Sequence, residues 1–446
     1  TRGQLRRRLR VVGPMLAGSR IGPGDAPFAV YTAPAPFGED DAPAAYRAHS
    51  WISVVSAEED AGTWTVELDE RDPSGAGWSH VPIALAPSRP IPTTKQRAAI
   101  LEWGERVAGS LDPVVDPMLD VLRRVPPRIA GGVPDDGMPA ERIVAALTAM
   151  DRSYLAVQGP PGSGKTHVGA TVLRELVERG WRIGVVAQSH EVVEHLLRKA
   201  IELGVPEDRV GKRPRSGSTT VPGVALQPRD VAGFLAGEGG RILGGTSWTF
   251  ANAEQVPRHA LDLLVVDEAG QFSLASTVAV SVAAENLLLL GDPQQLPQVS
   301  QGTHPEPVDE SALGWVMDGQ AVLPASHGYF LSHTWRMHPA LARAVSELSY
   351  DGELASAPVT ASRALEGVAP GVHPVPVVHA GNAVASPEEA AAVVRIVRDT
   401  IGRTWTCHDD GAAVTRPLTA ADVIVVTPYN GQQVEVENAL DAAGLS

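Results

Sequence analysis

Of 446 residues only one is cysteine, Cys407. No disulfide can close within the chain, and Cys-rich zinc and iron-sulfur sites, which need several thiolates, are excluded. A reducing compartment, the cytoplasm, is the expectation. Long hydrophobic runs are also missing: the longest apolar stretch, "STVAVSVAAENLLLL", is interrupted by Glu285 and Asn286. No charged-then-apolar leader opens the chain, so neither a membrane span nor a signal peptide is expected. There is no excess of basic residues either. Lys and Arg number 37 against 52 Asp and Glu, for a formal net charge of -15. That balance argues against a protein that coats nucleic acid indiscriminately, while leaving room for a local basic groove.

With 43% hydrophobic and 20% charged residues, a chain of this length can bury at least two cores, and two or three domains are expected. The opening "TRGQLRRRLR" carries five arginines and no initiating Met. It reads as a basic arm or as a segment from within a longer polypeptide. "SWISVVS", "GTWTVELD" and "GWSHVPIAL" are short β-rich runs that suggest an antiparallel meander or small barrel. "TTKQRAAILEWGERVAGSL" reads as a helical stalk, and the Pro/Gly-rich "VPPRIAGGVPDDGMPAE" as a connector. Residues 1–130 are therefore expected to form an accessory region. From 131 onward the pattern changes. "SYLAVQ", "RIGVVAQ", "RILGGT", "LDLLVVDE" and "NLLLLGDP" are apolar strands alternating with helical stretches, which predicts an α/β fold: a parallel sheet flanked by helices on both faces. Ligands on such sheets bind at the carboxyl ends of the strands.

"GPPGSGKT" lies between a strand and a helix and matches the phosphate-binding loop pattern. Its residues are Gly159, Pro160, Pro161, Gly162, Ser163, Gly164, Lys165 and Thr166. Glycines let the backbone approach phosphate oxygens closely enough for N–H groups to donate, and the helix N-terminus adds its dipole. Lys165 is expected to bridge the β and γ phosphates of ATP, and Thr166 to place its hydroxyl on Mg²⁺. A neighbouring strand, "LLVVDE", ends in Asp267 and Glu268. A buried carboxylate pair is costly unless a cation or a reaction needs it. Asp267 is expected to hold the Mg²⁺ shell and Glu268 to deprotonate the attacking water.

Three further stretches narrow the class. "DEAGQ" (267–271), "GDPQQLP" (291–297) and "TWRMHP" (334–339) together resemble the superfamily 1 helicases of the Upf1/Dna2-like group, in the order that group has them. "GVVAQSHEVVEHLL", "GGTS" and "VIVVTPYNGQ" resemble its nucleic-acid-contact segments and a segment of its second motor domain. The resemblance implies RecA-like motor domains at 131–318 and 319–446, the second incomplete. It gives Gln295 the role of γ-phosphate sensor and Arg336 that of an arginine finger reaching across from the second domain. Trp335 stands where the group usually has Tyr, as an aromatic for adenine. Single-stranded nucleic acid, DNA rather than RNA, would contact Ser189, His190, Gly245, Thr246, Thr427 and Tyr429. "VQGPPGSGKT", "VVAQSH" and "QGTHPEPVDESAL" are similar to one bacterial branch in which such a helicase follows a RecB-like nuclease, so a fused nuclease outside these residues is a further expectation.

Other readings stay open at this stage. Arg336 could make a surface salt bridge and Trp335 could be a core residue. Lys212, Arg213 and Arg215 in "GKRPR" form the best basic cluster beside the motor, or a solvated loop. The group's adenine-reading glutamine has no counterpart in "PAERIVAAL", which offers Glu141 and Arg142. The later motifs of the group are not found by Ser446, and the strand candidates of the second motor domain reduce to about three, "YFLSHTW", "VHPVPVVHA" and "DVIVVT", where a complete sheet is expected to have more. Binding of ATP, with little stimulated hydrolysis by these residues alone, is the expectation. The resemblance implies an ATP-dependent helicase or translocase moving 5′ to 3′. The alternatives are a scaffold that binds nucleotide and nucleic acid without turnover, and a P-loop ATPase acting on protein.

Overall fold

The computed structural model describes residues 5–15, 21–32, 46–60, 63–72, 79–87, 92–214, 221, 223–224, 227, 230–297, 304, 307–409 and 412–445. The chain forms two units. One is Thr1–Pro92 with Pro374–Thr404 and Pro417–Ser446, the other Thr93–His373 with Trp405–Arg416.

The first unit opens with β1 (Leu5–Gly13), β2 (Phe28–Thr32), β3 (Tyr46–His49), β4 (Ile52–Asp60), β5 (Thr63–Asp72) and β6 (Ala84–Ala86). They make two antiparallel sheets, β1-β5-β4 and β3-β2-β6. Both sheets contribute to one core, with Ala29 and Tyr31 from one and Ile52, Val54, Val66 and Leu68 from the other. The arginine-rich opening is a strand and not an arm. Its register sets Arg7 opposite Glu70, Arg8 opposite Asp69 and Arg10 opposite Glu67, so the positive run of β1 is answered by the acidic run of β5. Arg7 Nε lies 2.7 Å from Glu70 and Arg8 Nε 2.9 Å from Asp69.

Glu70 is wholly buried and also bonded to His49 Nε2 and the Tyr31 hydroxyl. Burial alone would push its carboxyl up. The hydrogen bonds from His49, Tyr31 and Arg7, with the Arg7 charge, outweigh that and hold it below its ordinary value.

In the same unit the helices Pro387–Thr400 and Asn430–Ala442 pack on each other. The runs 372–380 and 422–427, expected as strands, form none. Val378, Ile424 and Val426 are exposed. A β-rich run becomes a strand only when a neighbouring strand takes its N–H and C=O groups, and among the described residues no strand pairs with either run.

The second unit is built on β7 (Tyr154–Gln158), β8 (Arg182–Val186), β9 (Val210–Lys212), β10 (Arg241–Gly245), β11 (Leu261–Asp267), β12 (Ala284–Gly291) and β13 (Gly328–Phe330). They form a seven-stranded parallel sheet in the order β13-β7-β12-β11-β8-β10-β9. Side chains alternate between two cores. Leu155, Val157, Val265 and Leu288 face the helices Pro139–Thr148, Lys165–Glu178 and His190–Glu202. Tyr154, Ala156, Val266 and Leu289 face Pro117–Arg123, Leu274–Ser281 and Ala312–Met317. Both faces are covered, which is why the strands read as unbroken apolar runs.

The helix Thr94–Gly109, expected in the accessory stalk, packs here against Leu274–Ser281. The edge strand β13 lies beyond residue 318 and is hydrogen-bonded to β7. The remaining strands sit in small sheets, β14 (His333–Thr334) with β15 (Ala355–Ser356), and β16 (Ala364–Leu365) with β17 (Thr404–Asp409) and β18 (Ala412–Pro417). No helix among the described residues is long and apolar enough to cross a membrane.

Candidate nucleotide site

Strand β7 ends at Gln158 and the Lys165–Glu178 helix begins seven residues later, leaving Gly159–Gly164 to turn the chain at the sheet's carboxyl edge. Gly162 and Gly164 have φ of +75° and +80°, a conformation only glycine adopts without strain. Gly159 N–H donates to Gly291 O at 2.8 Å, tying the loop to the end of β12. The first-turn N–H groups of the following helix have no intrahelical partner and, with the helix dipole, favour an anion.

Lys165 opens that helix, and its Nζ is 2.6 Å from Glu268 Oε1. Glu268 follows the last residue of β11 and has φ +54°, an uncommon conformation for a residue with a side chain and one that clusters at functional sites. Its N–H donates to Asp267 Oδ1 at 2.9 Å. Asp267 is buried, and burial, opposed by the Lys165 charge and reinforced by Glu268, pushes its carboxyl up to about 6.

"TWRMHP" is in place beside the loop. Thr334 Oγ1 donates to Pro161 O at 2.9 Å, and Trp335 N–H donates to Gly162 O at 2.7 Å. A Cβ on Gly162 would stand 2.3 Å from Arg336 Cβ. Arg363 donates to the carbonyls of Trp335 and Arg336. Trp335 is 57% exposed, so it is not a core residue. Among the described residues Arg336 has no ion-pair partner.

A cleft of about 750 Å³ is lined by Gly159 through Thr166, Glu268, Gln295, Trp335 and Arg336. All of these are residues that the sequence singles out. Sequence reasoning missed His195, Arg198, Lys199 and Glu202 of the His190–Glu202 helix, which also line the cleft. Their spacing of three, four and seven residues, which puts side chains on one helical face, was the available signal. Glu141 and Arg142 do not line it. Glu141 caps its own helix, its carboxylate accepting from Met138 N–H at 3.0 Å, and the Arg142 guanidinium lies over the Tyr329 ring.

The donor set fits a nucleotide with a divalent cation. Two buried polar atoms on the cleft, Ser163 Oγ and Glu268 Oε2, have no hydrogen-bond partner among the described residues. No cluster of three or more His, Cys, Asp or Glu able to hold a metal alone occurs among the described residues. Thr166 and Asp267 are the residues that would hold Mg²⁺, with phosphate oxygens supplying the further oxygen donors it prefers.

The nucleic-acid candidates divide. Ser189 and His190 follow the end of β8, and Gly245, the last residue of the adjacent strand β10, is followed by Thr246. Ser189 Oγ caps its helix, accepting from Val192 N–H. Gly245 is buried against Thr249. Thr427 and Tyr429 belong to the other unit; Thr427 Oγ1 donates to Tyr429 O, and Tyr429 is exposed. Lys212 corrects the reading of "GKRPR" as a surface cluster. It is fully buried, its Nζ held by Glu194 at 3.0 Å, by His190 Nδ1 at 2.9 Å and by Arg213 O. A buried ammonium needs these partners, so His190 is engaged within the fold. Arg213 is exposed, and Arg215 lies outside the described residues.

A family model described as an AAA domain matches residues 141–316. The regulator of nonsense transcripts 1 of Caenorhabditis elegans is 26% identical over 53% of this chain and 25% of its own length. The DNA replication ATP-dependent helicase/nuclease JHS1 of Arabidopsis thaliana is 23% identical over 67% of this chain and 23% of its own length. The chain thus spans about a quarter of each of these relatives. A solved complex of arterivirus nonstructural protein 10, a helicase, with DNA is 14% identical, with a TM-score of 0.33, over 79% of this chain and 58% of that one.

Proposed function

We propose, from the premise that this chain belongs to the superfamily 1 helicases of the Upf1/Dna2-like group, that it is the ATP- and Mg²⁺-dependent motor core of a nucleic-acid helicase or translocase. The observation that carries this is the convergence of the phosphate loop, Glu268, Gln295 and Arg336 on one cleft. ATP entering it draws Lys165 away from Glu268 toward the β and γ phosphates. The freed Glu268 carboxylate then takes the proton of the attacking water. Lys165 and Arg336 place positive charge where the transferred phosphoryl group develops negative charge, and Gln295 senses the γ-phosphate. Thr166 and Asp267 would hold Mg²⁺, which would supply further charge neutralisation on the phosphate oxygens. Trp335 offers an exposed ring for the adenine.

The polymer we propose is single-stranded DNA, tracked 5′ to 3′ through contacts to its phosphates at Ser189, Gly245 and Thr246, with Thr427 and Tyr429 as separate candidates in the other unit. A nuclease fused outside this chain and a cytoplasmic location belong to the same proposal. The test is the binding of unrelated single-stranded oligonucleotides with and without a non-hydrolysable ATP analogue. A motor changes its affinity with nucleotide, weakens with salt and ignores sequence. Affinity identical in both nucleotide states would instead describe a scaffold, and no strand binding at all an ATPase acting on protein.

A further inference from the structure

Asp292 follows the last residue of β12 and is 1% exposed. A carboxylate so placed is costly without donors, and three are present. Oδ1 accepts from Gln294 N–H at 3.2 Å. Oδ2 accepts from Gln295 Nε2 at 3.1 Å and from the Tyr350 hydroxyl at 2.7 Å. One oxygen therefore joins a residue that lines the nucleotide cleft to a residue that does not.

Tyr350, 2% exposed, ends the helix Pro339–Ser349 and belongs to a small core with Met337, Ala342 and Leu354. Its ring lies 6.0 Å from that of Phe330. Met337 is the neighbour of Arg336, whose side chain lines the cleft. A phenylalanine would fill the same space; the hydroxyl serves Asp292. Burial and the bond to Asp292 push the phenol well above its ordinary value, so it stays a donor throughout the working pH range.

We propose that Tyr350 is a positioning residue for ATP hydrolysis, holding Gln295 through the shared Asp292 oxygen and linking nucleotide occupancy to the Pro339–Ser349 helix and Arg336. This rests on the motor reading above. A γ-phosphate that engages Gln295 changes the load on Asp292 Oδ2, and the Tyr350 bond passes that change to the core beneath Arg336.

The test is Tyr350→Phe, which keeps the ring. Turnover at saturating ATP should fall about tenfold or more while ATP affinity stays within about twofold, the signature of lost positioning. Combined with Gln295→Ala it should add nothing to the loss from Gln295→Ala alone, because both act on one unit. Tyr329→Phe is the control. It removes a buried hydroxyl whose partners are the carbonyls of Pro134 and Arg142, and it should lower melting temperature without the turnover loss. Hydrogen exchange gives a readout independent of turnover: a non-hydrolysable ATP analogue should slow exchange across residues 339–349 in the wild type and not in Tyr350→Phe. Wild-type turnover in Tyr350→Phe, multiplied losses in the double variant, or equal protection in both proteins would overturn the inference alone. Failure of the wild type to bind ATP would overturn it together with the motor reading.

Discussion

Glu268 and Gly162 both occupy left-handed backbone conformations, at φ +54° and +75°, and the difference between them is instructive. Glu268 bears that conformation with a side chain present, which local structure tolerates where a carboxylate must be aimed. At Gly162 no side chain fits, because the "TWR" segment lies against the loop. Gly162→Ala is therefore expected to displace Trp335 and Arg336, lowering turnover on the order of a hundredfold while the chain stays folded; turnover equal to wild type would show that Arg336 does not act from this position. The loop residues were legible in the sequence because phosphate binding restricts which residues can serve. Arg198 and Lys199 were not, since only packing brings their helix to the cleft. Lys212 looked like surface charge because no local pattern announces that Glu194 and His190 lie within its reach.

At the level of elements, the strands of the seven-stranded sheet were readable because burial on both faces leaves an unbroken apolar run. β1 was not readable. Six residues of arginine and leucine suggest an arm until the acidic β5 is known to lie opposite, and register is a tertiary fact. The same pairing gives a prediction. The Glu70 carboxyl is held below its unfolded value, so its contribution to stability is fully present above that value and is lost as pH falls through the folded one. Glu70→Gln leaves Arg7 and His49 without their buried anion and should cost about 3 to 5 kcal/mol at neutral pH. Melting curves between pH 3 and 7 check this: the wild type should lose stability on the acid side of its range, and the variant should lose less. Parallel curves for the two proteins would remove Glu70 from the account.

Across the whole molecule, an excess of acidic residues, 52 against 37 basic, means that any hold on nucleic acid comes from a few local sites and not from bulk charge. The runs at 372–380 and 422–427 show the limit of reading strands from β propensity, which records fitness for a sheet and not the presence of a partner. The nucleotide cleft depends on neither, and it is the centre of the account. Its most direct test is the equilibrium binding of ATP with Mg²⁺ to the wild type, Lys165→Ala and Glu268→Gln. The Glu268→Gln protein should hold ATP at least as well as wild type, since the carboxylate that occupies Lys165 is gone, and should not hydrolyse it. Lys165→Ala should lose affinity by about tenfold or more, in keeping with the loss of a charge-assisted phosphate contact. Equal affinity in the wild type and Lys165→Ala would contradict the assignment of this cleft as the nucleotide site.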